Sequence, residues 1–326
     1  MGSHDNHVYV WHQDGTLVPG WPVVLPDPAK VATMNPVTHN FTLLPGVGAV
    51  RDGTKVIVSP SLGDLDGDGD LEIVVGVNEQ YAEDPNAALA PELLALGYLV
   101  VPGNARIYAL HHDGANHPAT PAQAATPHTQ DQAYVAGWPV PIAVIQTDLL
   151  PDVGTGTNGQ SPLADIDGDG TLEVVTASAA GPGYILNHDG TSFLGTVDGG
   201  KYRTLTTSGG AATDVPSYIA VGALSVASLD GGAHLSVLGP GGGLKRVVDV
   251  VIPAQQLGGE DHFAFWNATT GAYEPNSPVV VNDLQFFAGP IAGDINGDGL
   301  AEGIQGSAVS DTVAVGLGVP SAAATR

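Results

Sequence analysis

The chain has 326 residues, enough for one large domain or two ordinary ones. Its 34 acidic and 9 basic side chains give a formal net charge of −25, which disfavours nucleic acid and anionic membranes as partners and favours cations. Cysteine is absent, which excludes disulfides, thiol nucleophiles and cysteine-zinc sites. The sequence has no run of eighteen apolar residues, the length that would predict a membrane-spanning helix. Residues 1–4 resemble a cloning remnant, so we set them aside.

The first element that the sequence predicts is a β-hairpin over residues 8–23. Strand-like residues flank Asp14-Gly15, a dipeptide typical of tight hairpin turns, and the return strand begins near Trp21. The pattern returns three times, at residues 107–140, 184–190 and, more loosely, 263–279. We expect these four copies to form the outer half of a repeated β unit.

An acidic loop follows at residues 64–72. Its carboxylates occupy alternate positions 1 to 9, namely Asp64, Asp66, Asp68, Asp70 and Glu72. The side chains at positions 1, 3 and 5 can converge, Gly69 at position 6 permits the sharp turn, and the glutamate at position 9 can swing back to the same point. Position 7 can add its backbone carbonyl. Hard oxygen donors in a flexible loop favour Ca²⁺.

The loop recurs twice in the same register. The second copy has Asp165, Asp167, Asp169, Thr171 and Glu173, and the third has Asp294, Asn296, Asp298, Leu300 and Glu302. Three copies in register, each before a short apolar run, predict three structural calcium sites. The alternative for each loop is an acidic surface turn without metal, and the neutral Asn296 lowers the charge of the third.

The loop differs from an EF-hand, which needs a bidentate glutamate at position 12 and flanking helices. Position 12 is Val75, Thr176 or Gln305, and the flanks are β-branched and short, as strands are. The metal is therefore expected to lie between two strands.

A fourth, decayed copy aligns at residues 228–236. Ser228, Gly232 and Ser236 replace the residues at positions 1, 5 and 9, and only Asp230 keeps a ligand side chain. We expect the fold to be kept there and the metal to be lost.

The loop starts at 64, 165, 228 and 294 indicate a repeat of roughly 65 residues with extra sequence in the first interval. The extra sequence comprises insertions at 78–104, with a short helix entered through Pro91, and at 115–132, an exposed loop; Pro26–Gly53 is a further irregular stretch. We expect these three segments to carry any ligand binding. The predicted units are an outer half-blade at 5–25, blades at 54–141, 156–200 and 217–281, and an inner half-blade at 284–318.

This order of motifs resembles the FG-GAP/VCBS repeat family, the integrin-α-like β-propellers. The resemblance rests on the three acidic loops and on the Gly-Trp-Pro-Val strands at 20–23 and 137–140. It implies an all-β fold, a β-propeller of four-stranded antiparallel blades with structural calcium between strands. The family usually has more blades, so we expect either a small closed ring or a partial propeller of a longer protein.

Common catalytic motifs are absent from the sequence, and its paired carboxylates fit calcium better than a glycosidase acid and base. His111, His112, His117 and His128 are expected to lie in solvated loops, with a zinc site as the alternative. Trp11, Trp21, Trp138 and Trp266 are expected to pack between blades, with an exposed sugar-stacking surface as the alternative.

The sequence thus predicts a non-enzymatic, extracellular or cell-surface binding or adhesion module with a glycan or protein ligand. Two alternatives stay open: the non-catalytic arm of a secreted hydrolase or lyase, and a structural unit of a surface assembly that associates through its end blades.

Overall fold

A computed structural model gives the fold of this chain. It describes the following residues: 1–35, 38, 40–47, 49–56, 58–81, 100–114, 133–147, 156–157, 159–178, 181–197, 200–206, 219–221, 223–232, 234–243, 262–281, 289–306 and 312–316.

Within these residues the chain forms strands and one 3-10 helix, Pro28–Lys30. In chain order the strands are β1 His7–Val8, β2 Val23–Val24, β3 Val31–Met34, β4 Phe41–Leu43, β5 Ala49–Lys55, β6 Ser61–Gly63, β7 Glu72–Tyr81, β8 Val100–Leu110, β9 Val140–Thr147, β10 Leu163–Ala164, β11 Glu173–Ala177, β12 Gly183–Leu186, β13 Ile219–Val221, β14 Ser225–Ala227, β15 Ser236–Gly243, β16 His262–Asn267, β17 Val279–Val280, β18 Ile291–Gly293, β19 Glu302–Gly306 and β20 Thr312–Gly316. The fold is all-β.

The strands pair antiparallel into a series of small sheets. Sheet 1 is β1–β2, and the separate hairpin β3–β4 follows it. Sheet 2 has the order β5-β7-β8-β9, with β6 on the same edge of β7 as β5. Sheet 3 is β10-β11-β12. Sheet 4 repeats the plan of sheet 2, with the order β13-β15-β16-β17 and β14 beside β15. Sheet 5 is β18-β19-β20. No strand pairing in the described ranges joins sheet 1 to sheet 5.

Each acidic loop connects a short strand to the next strand of its sheet in one register. The residue before the loop pairs with position 9 in all four copies: Gly63 with Glu72, Ala164 with Glu173, Ala227 with Ser236, and Gly293 with Glu302. The decayed loop therefore keeps the strand geometry of the intact ones, as expected. Strands, and not helices, flank every copy.

The structure corrects the expectation for residues 26–53. This stretch is not irregular, because it contains the 3-10 helix, the hairpin β3–β4 and β5. The proposed insertion at 78–104 is likewise strand at both ends, since β7 runs to Tyr81 and β8 starts at Val100. The predicted helix after Pro91 and the whole of 115–132 lie outside the described residues.

The apolar core is divided into clusters that each lie between two consecutive sheets. In chain order, the four clusters contain Val8 and Ile73 from sheets 1 and 2, Ile107 and Val174 from sheets 2 and 3, Ile185 and Val237 from sheets 3 and 4, and Phe265 and Ala292 from sheets 4 and 5. Neighbouring residues such as Val174 and Val175 belong to different clusters, because successive side chains of a strand point to opposite faces. Each inner sheet is thus buried on both faces by its neighbours. None of the helices in the described part is long and apolar enough to cross a membrane.

A repeated contact between turns joins sheets 1, 2 and 3 at the end that carries the acidic loops. The indole Nε1 of Trp21 donates to His112 O at 3.0 Å, and that of Trp138 donates to His188 O at 2.8 Å. Both acceptors lie in the Asp-Gly turn of the following sheet. The glycine before each tryptophan lies directly against that turn. We call this contact the turn junction.

A substitution of Gly137 should test the turn junction. An added Cβ would lie 1.9 Å from Asp189 O, and φ is 93°. We expect Gly137→Ala to lower the free energy of unfolding by at least about 3 kcal/mol, because sheets 2 and 3 must separate locally. Gly195→Ala is the matched control, since φ is 81° and no atom lies within 4 Å of its added Cβ. It should lose only about 1 kcal/mol from backbone strain. Equal losses in urea denaturation would contradict this account.

Candidate metal centres

The first acidic loop gathers three carboxylates at the start of β7. Oxygen atoms of Asp64, Asp66 and Glu72 lie within 4.8 Å of one another. Asp68 and Asp70, also predicted as ligands, fall outside this triad. Asp68 Oδ1 accepts from the Asp70 N–H at 2.9 Å, and the Asp70 carboxylate lies 3.8 Å from His112 Nδ1. The loop therefore presents three side-chain donors and has two further acidic groups nearby.

The second loop has the same arrangement at the start of β11. Asp165, Asp167 and Glu173 form a triad with the same 4.8 Å limit. Asp169 Oδ1 accepts from both the Thr171 N–H at 2.8 Å and the Thr171 hydroxyl at 2.7 Å. The hydrogen bond from the Thr171 hydroxyl is the main reason that the pKa of Asp169 is lowered. Position 5 is thus an ionised carboxylate at neutral pH.

The third loop repeats the geometry with an amide in place of one carboxylate. Asn296 Oδ1 accepts from the Asp298 N–H at 2.8 Å, while Asn296 Nδ2 donates to Glu302 Oε1 at 3.1 Å. Leu300, predicted to offer only its carbonyl, donates its N–H to Asp298 Oδ1 at 2.9 Å. The hydrogen bond from the Gly299 N–H to Asp294 is the first cause that lowers the pKa of Asp294. This loop carries less charge than the other two.

Backbone hydrogen bonds hold the three loops in the same closed form. At position 9 the glutamate accepts from the N–H at position 2, at 2.8, 2.7 and 3.0 Å in the three loops. At position 1 the aspartate accepts from the glycine N–H at position 6, at 3.2, 3.2 and 2.9 Å. The glycines at positions 4 and 6 all have positive φ, a conformation that other residues adopt at a cost. The glycines of the motif thus bring the side chains together.

The glutamates at position 9 are the most buried carboxyl groups of the loops. Glu72 is 0% exposed and Glu173 is 2% exposed. Burial raises the pKa of Glu72, and it raises the pKa of Glu173 to about 7; the aspartates of each loop add to both shifts. A cation among these oxygens would reverse that repulsion and favour the ionised form.

The donor set fits a hard divalent cation. Asp64 Oδ1 and Glu72 Oε1 are buried oxygens without a hydrogen-bond partner. Such oxygens are costly in a closed site unless something binds them. The donors are carboxylate and amide oxygens, which suit Ca²⁺ or Mg²⁺ better than softer metals. Two acidic triads in the described residues can therefore hold a metal ion.

The fourth loop is occupied by a side chain of the protein itself. The imidazole of His234 at position 7 bridges two carboxylates, with Nδ1 2.6 Å from Asp230 Oδ2 and Nε2 2.6 Å from Glu274 Oε1. Ser236 Oγ donates to Glu274 Oε1 at 3.1 Å. The hydrogen bond to Glu274 is the first cause that raises the pKa of His234. Sequence reasoning missed Glu274, which lies 38 residues beyond Ser236 and reaches the loop only through sheet pairing.

Two other predictions from the sequence need correction. His111 is not in a solvated loop: it is 5% exposed, with Nδ1 3.9 Å from Glu72 Oε1. Trp11 does not pack between sheets: it is 43% exposed, whereas Trp21, Trp138 and Trp266 are buried. His117 and His128 lie outside the described residues, so the zinc alternative stays untested.

A second cluster of titratable groups, missed by sequence reasoning, lies at the far end of β7. Glu79 is 2% exposed and accepts from the hydroxyls of Tyr81 and Tyr108 and from the Asp27 N–H at 2.7 Å. The Asp27 carboxylate in turn accepts from Arg106 Nε at 2.8 Å. Burial raises the pKa of Glu79 to about 8, although Arg106 and then Tyr108 lower it. The cluster fastens the segment before the 3-10 helix to sheet 2.

Comparison with known proteins gives no family assignment. No family model matches the chain, and no curated protein does. Among solved structures, the chain is similar to the rhamnogalacturonan lyase PL11 of Bacillus licheniformis at 17% identity and a TM-score of 0.38, covering 82% of this chain and 43% of that one. It is also similar to the exotype rhamnogalacturonan lyase YesX at 15% identity and a TM-score of 0.37, covering 95% of this chain and 53% of that one. The chain thus spans about half the length of these structures, and likenesses this distant carry no argument about its function.

The buried Glu79 should make stability fall as pH rises. The folded protein keeps a proton on this carboxyl up to about pH 8, while the unfolded chain releases it near its ordinary value of 4.5. Between these values unfolding releases a proton, so rising pH favours the unfolded state. Glu79→Gln replaces the carboxyl by an amide that does not titrate, so this pH dependence is lost. We expect the unfolding free energy of the wild type to fall relative to Glu79→Gln by up to about 1.4 kcal/mol per pH unit between pH 5 and 7. Parallel curves in urea titrations over this range would show that Glu79 is already ionised.

Proposed function

We propose that this chain is a calcium-stabilised β-propeller domain that binds glycans outside the cell. The observation that carries the proposal is the recurrence of one closed acidic loop in successive sheets. A catalytic metal is normally unique in a protein and keeps an open coordination position. A loop repeated with the sheets is a part of the architecture, so the metals serve the fold and ligand binding lies elsewhere.

The propeller arrangement is supported by the order and packing of the sheets. Sheets 2 and 4 each have four antiparallel strand positions, which is the plan of a propeller blade. Consecutive sheets bury apolar clusters between them, and stacking in chain order is how blades surround an axis. The acidic loops and this stacking also support the resemblance to the FG-GAP/VCBS repeats.

Calcium is the cation that the loops favour. Ca²⁺ accepts six to eight oxygen ligands in flexible geometry, whereas Mg²⁺ demands a near-ideal octahedron and retains water. The loops combine side chains from alternate positions with backbone groups, a mixed donor set that suits the larger ion. Calcium is plentiful outside the cell, which is why we place the domain at the cell surface or in a secreted protein.

The glycan site we propose is the aromatic surface formed by the half-buried Tyr9 and the exposed Trp11. Their rings are stacked with centroids 5.4 Å apart and planes 8° apart, and Trp11 is 43% exposed. Exposed Leu17 pairs with Trp11 across the hairpin turn. Aromatic faces pack well against the apolar faces of sugar rings, and Asp5, bonded to the Tyr9 hydroxyl, adds an acceptor for sugar hydroxyls. The high negative charge favours neutral glycans over acidic ones.

The same binding role would suit a free adhesion module and the non-catalytic arm of a larger secreted enzyme. No catalytic activity is proposed for this chain. The carboxylates of the loops are accounted for as metal ligands, and the Glu79 cluster is buried by the chain itself.

Calcium binding should be stoichiometric and should stabilise the fold. We expect three Ca²⁺ per chain by elemental analysis of the dialysed protein. When the free Ca²⁺ concentration is 100 times the dissociation constant, each site adds about 2.7 kcal/mol to the unfolding free energy. A chelator should therefore lower the melting temperature. Asp66→Ala should leave two ions. Asp230→Ala is the matched control in the decayed loop and should leave three. A melting curve that does not respond to chelation would refute structural calcium.

Glycan binding should depend on Trp11. We expect Trp11→Ala to weaken retention on immobilised neutral polysaccharides in affinity electrophoresis by roughly tenfold, because one aromatic face contributes about 1–1.5 kcal/mol. Leu44→Ala, which also changes an exposed apolar residue, should bind like the wild type. Equal retention of wild type and Trp11→Ala, or no retention of either, would refute this site while leaving the calcium result unaffected.

A further inference from the structure

The interfaces between sheets 2 and 3, sheets 3 and 4, and sheets 4 and 5, which we call the first, second and third seams, repeat one set of contacts at the level of the acidic loops. The apolar residue at loop position 2 packs into the cluster shared with the next sheet: Leu65 at the first seam, Ile166 at the second and Leu229 at the third. Leu65 and Leu229 are 0% exposed. We call this side of a loop its forward face, because it meets the sheet that follows in the chain.

The next sheet meets the forward face with two residues of its own. These are the residue two places before its loop and the residue at loop position 8, which together we call the rear face. They are Leu163 and Leu172 at the first seam, Val226 and Leu235 at the second, and Ala292 and Ala301 at the third. At the first seam the backbone joins in, since the Leu172 N–H donates to Leu65 O at 3.1 Å.

A serine three places before the loop completes the forward face at two seams. Ser61 Oγ donates to Ser161 O, and Ser225 Oγ donates to Pro290 O. Both acceptors belong to the next sheet. The forward face is therefore formed by three residues: the one three places before the loop, the one at position 2, and the one at position 11 on the following strand. Position 11 is Val74, Val175 or Leu238 at the three seams, and each is at most 1% exposed.

In the described part of the chain two faces of this kind are left exposed: the forward face of sheet 5, and the loop end of the rear face of sheet 2, whose other apolar residues pack against sheet 1. The forward face of the third acidic loop exposes Ile291 by 64% and Ile295 by 62%, and leaves Ile304 at position 11 half-buried. The rear face of the first loop exposes Leu62 by 63% and Leu71 by 51%. At the internal seams the equivalent residues are buried or partly buried against the neighbouring sheet. Isoleucine at 291 stands where two of the internal seams have a serine, which makes this forward face wholly apolar.

We propose that the forward face formed by Ile291, Ile295 and Ile304 docks on the rear face formed by Leu62 and Leu71 of a second copy of this chain. The two faces are the missing halves of a seam that the chain already forms three times within itself. The forward face belongs to sheet 5 and the rear face to sheet 2, so the contact joins different surfaces of the two copies, head to tail. Such a contact either closes into a ring or continues as an open chain.

Charge sets the condition for this docking. At an internal seam the loops lie side by side, since a Cβ on Gly67 would be 3.6 Å from Gly170 O in the next loop. Docking would bring the loop at 294 against the loop at 64 of the other copy in the same way. Their carboxylates, on chains with a net charge of −25, repel unless cations neutralise them. The association should therefore be measured in calcium chloride.

The experiment uses two variants that each remove one face. Ile291→Asp with Ile295→Asp removes the forward face, and Leu62→Asp with Leu71→Asp removes the rear face. All four side chains are exposed, so neither variant disturbs a core. Sedimentation in calcium chloride should show the wild type at twice the chain mass or more. Each variant alone should be monomeric, with association weakened roughly 100-fold or more, because two large apolar side chains leave the contact.

The decisive sample is the equimolar mixture of the two variants. One retains an intact rear face and the other an intact forward face, so the mixture should form a 1:1 complex and nothing larger. Val280→Asp, a charge at an exposed apolar residue of sheet 4 away from both faces, should associate like the wild type. A monomeric wild type, a single-face variant that still associates, or a mixture that stays monomeric would each overturn the proposal.

Discussion

The crowding of carboxylates beside each seam is the constraint on which the rest of this structure depends. In each of two loops, one carboxylate oxygen of a buried glutamate and one of each of two aspartates lie within 4.8 Å of one another. Two like charges 4 Å apart cost about 4 kcal/mol at an effective dielectric constant of 20. Backbone N–H groups offset part of this repulsion, but they leave buried oxygens at Asp64 and Glu72 without partners. A divalent cation bound among these oxygens would turn the same crowding into an attraction.

The decayed loop shows that the strand geometry does not itself require the acidic set. Ala227 pairs with Ser236 in the register of the other three copies, although positions 1, 5 and 9 have lost their carboxylates. The imidazole of His234 lies between Asp230 and Glu274, 2.6 Å from a carboxylate oxygen of each, so the chain itself supplies the partner of these carboxylates. The same strand geometry thus accommodates loops with a full acidic set and a loop whose remaining carboxylate contacts a histidine of the chain.

The seams combine this electrostatic element with apolar packing and turn contacts. Position 2 of the loops at 64, 165 and 228 packs against the following sheet, and the Gly-Trp turns of sheets 1 and 2 lie against the Asp-Gly turns that follow them. The acidic loops and these turns occupy one end of the sheets, because the start of β7 pairs with the end of β8. The opposite end is held by other means, notably the buried Glu79 with its two tyrosines and the Asp27–Arg106 pair. The small sheets therefore share their apolar cores with their neighbours and are joined at both ends by polar contacts.

The sequence by itself determined the local features of this protein: the position of each loop, the strands beside it, the hairpin turns and the register at the decayed copy. These depend on glycine, aspartate and β-branched residues a few positions apart, so the pattern of neighbours decides them. Only the tertiary structure decided that Trp11 is exposed while three other tryptophans are buried, and that His111 lies inside. It also brought Glu274 to His234 and Glu79 to Asp27, across 40 and 52 residues of chain. These contacts depend on which sheet packs against which, and a local sequence pattern does not contain that information. The strands of residues 26–53 were missed for a related reason, since they form by pairing with partners that no local pattern specifies.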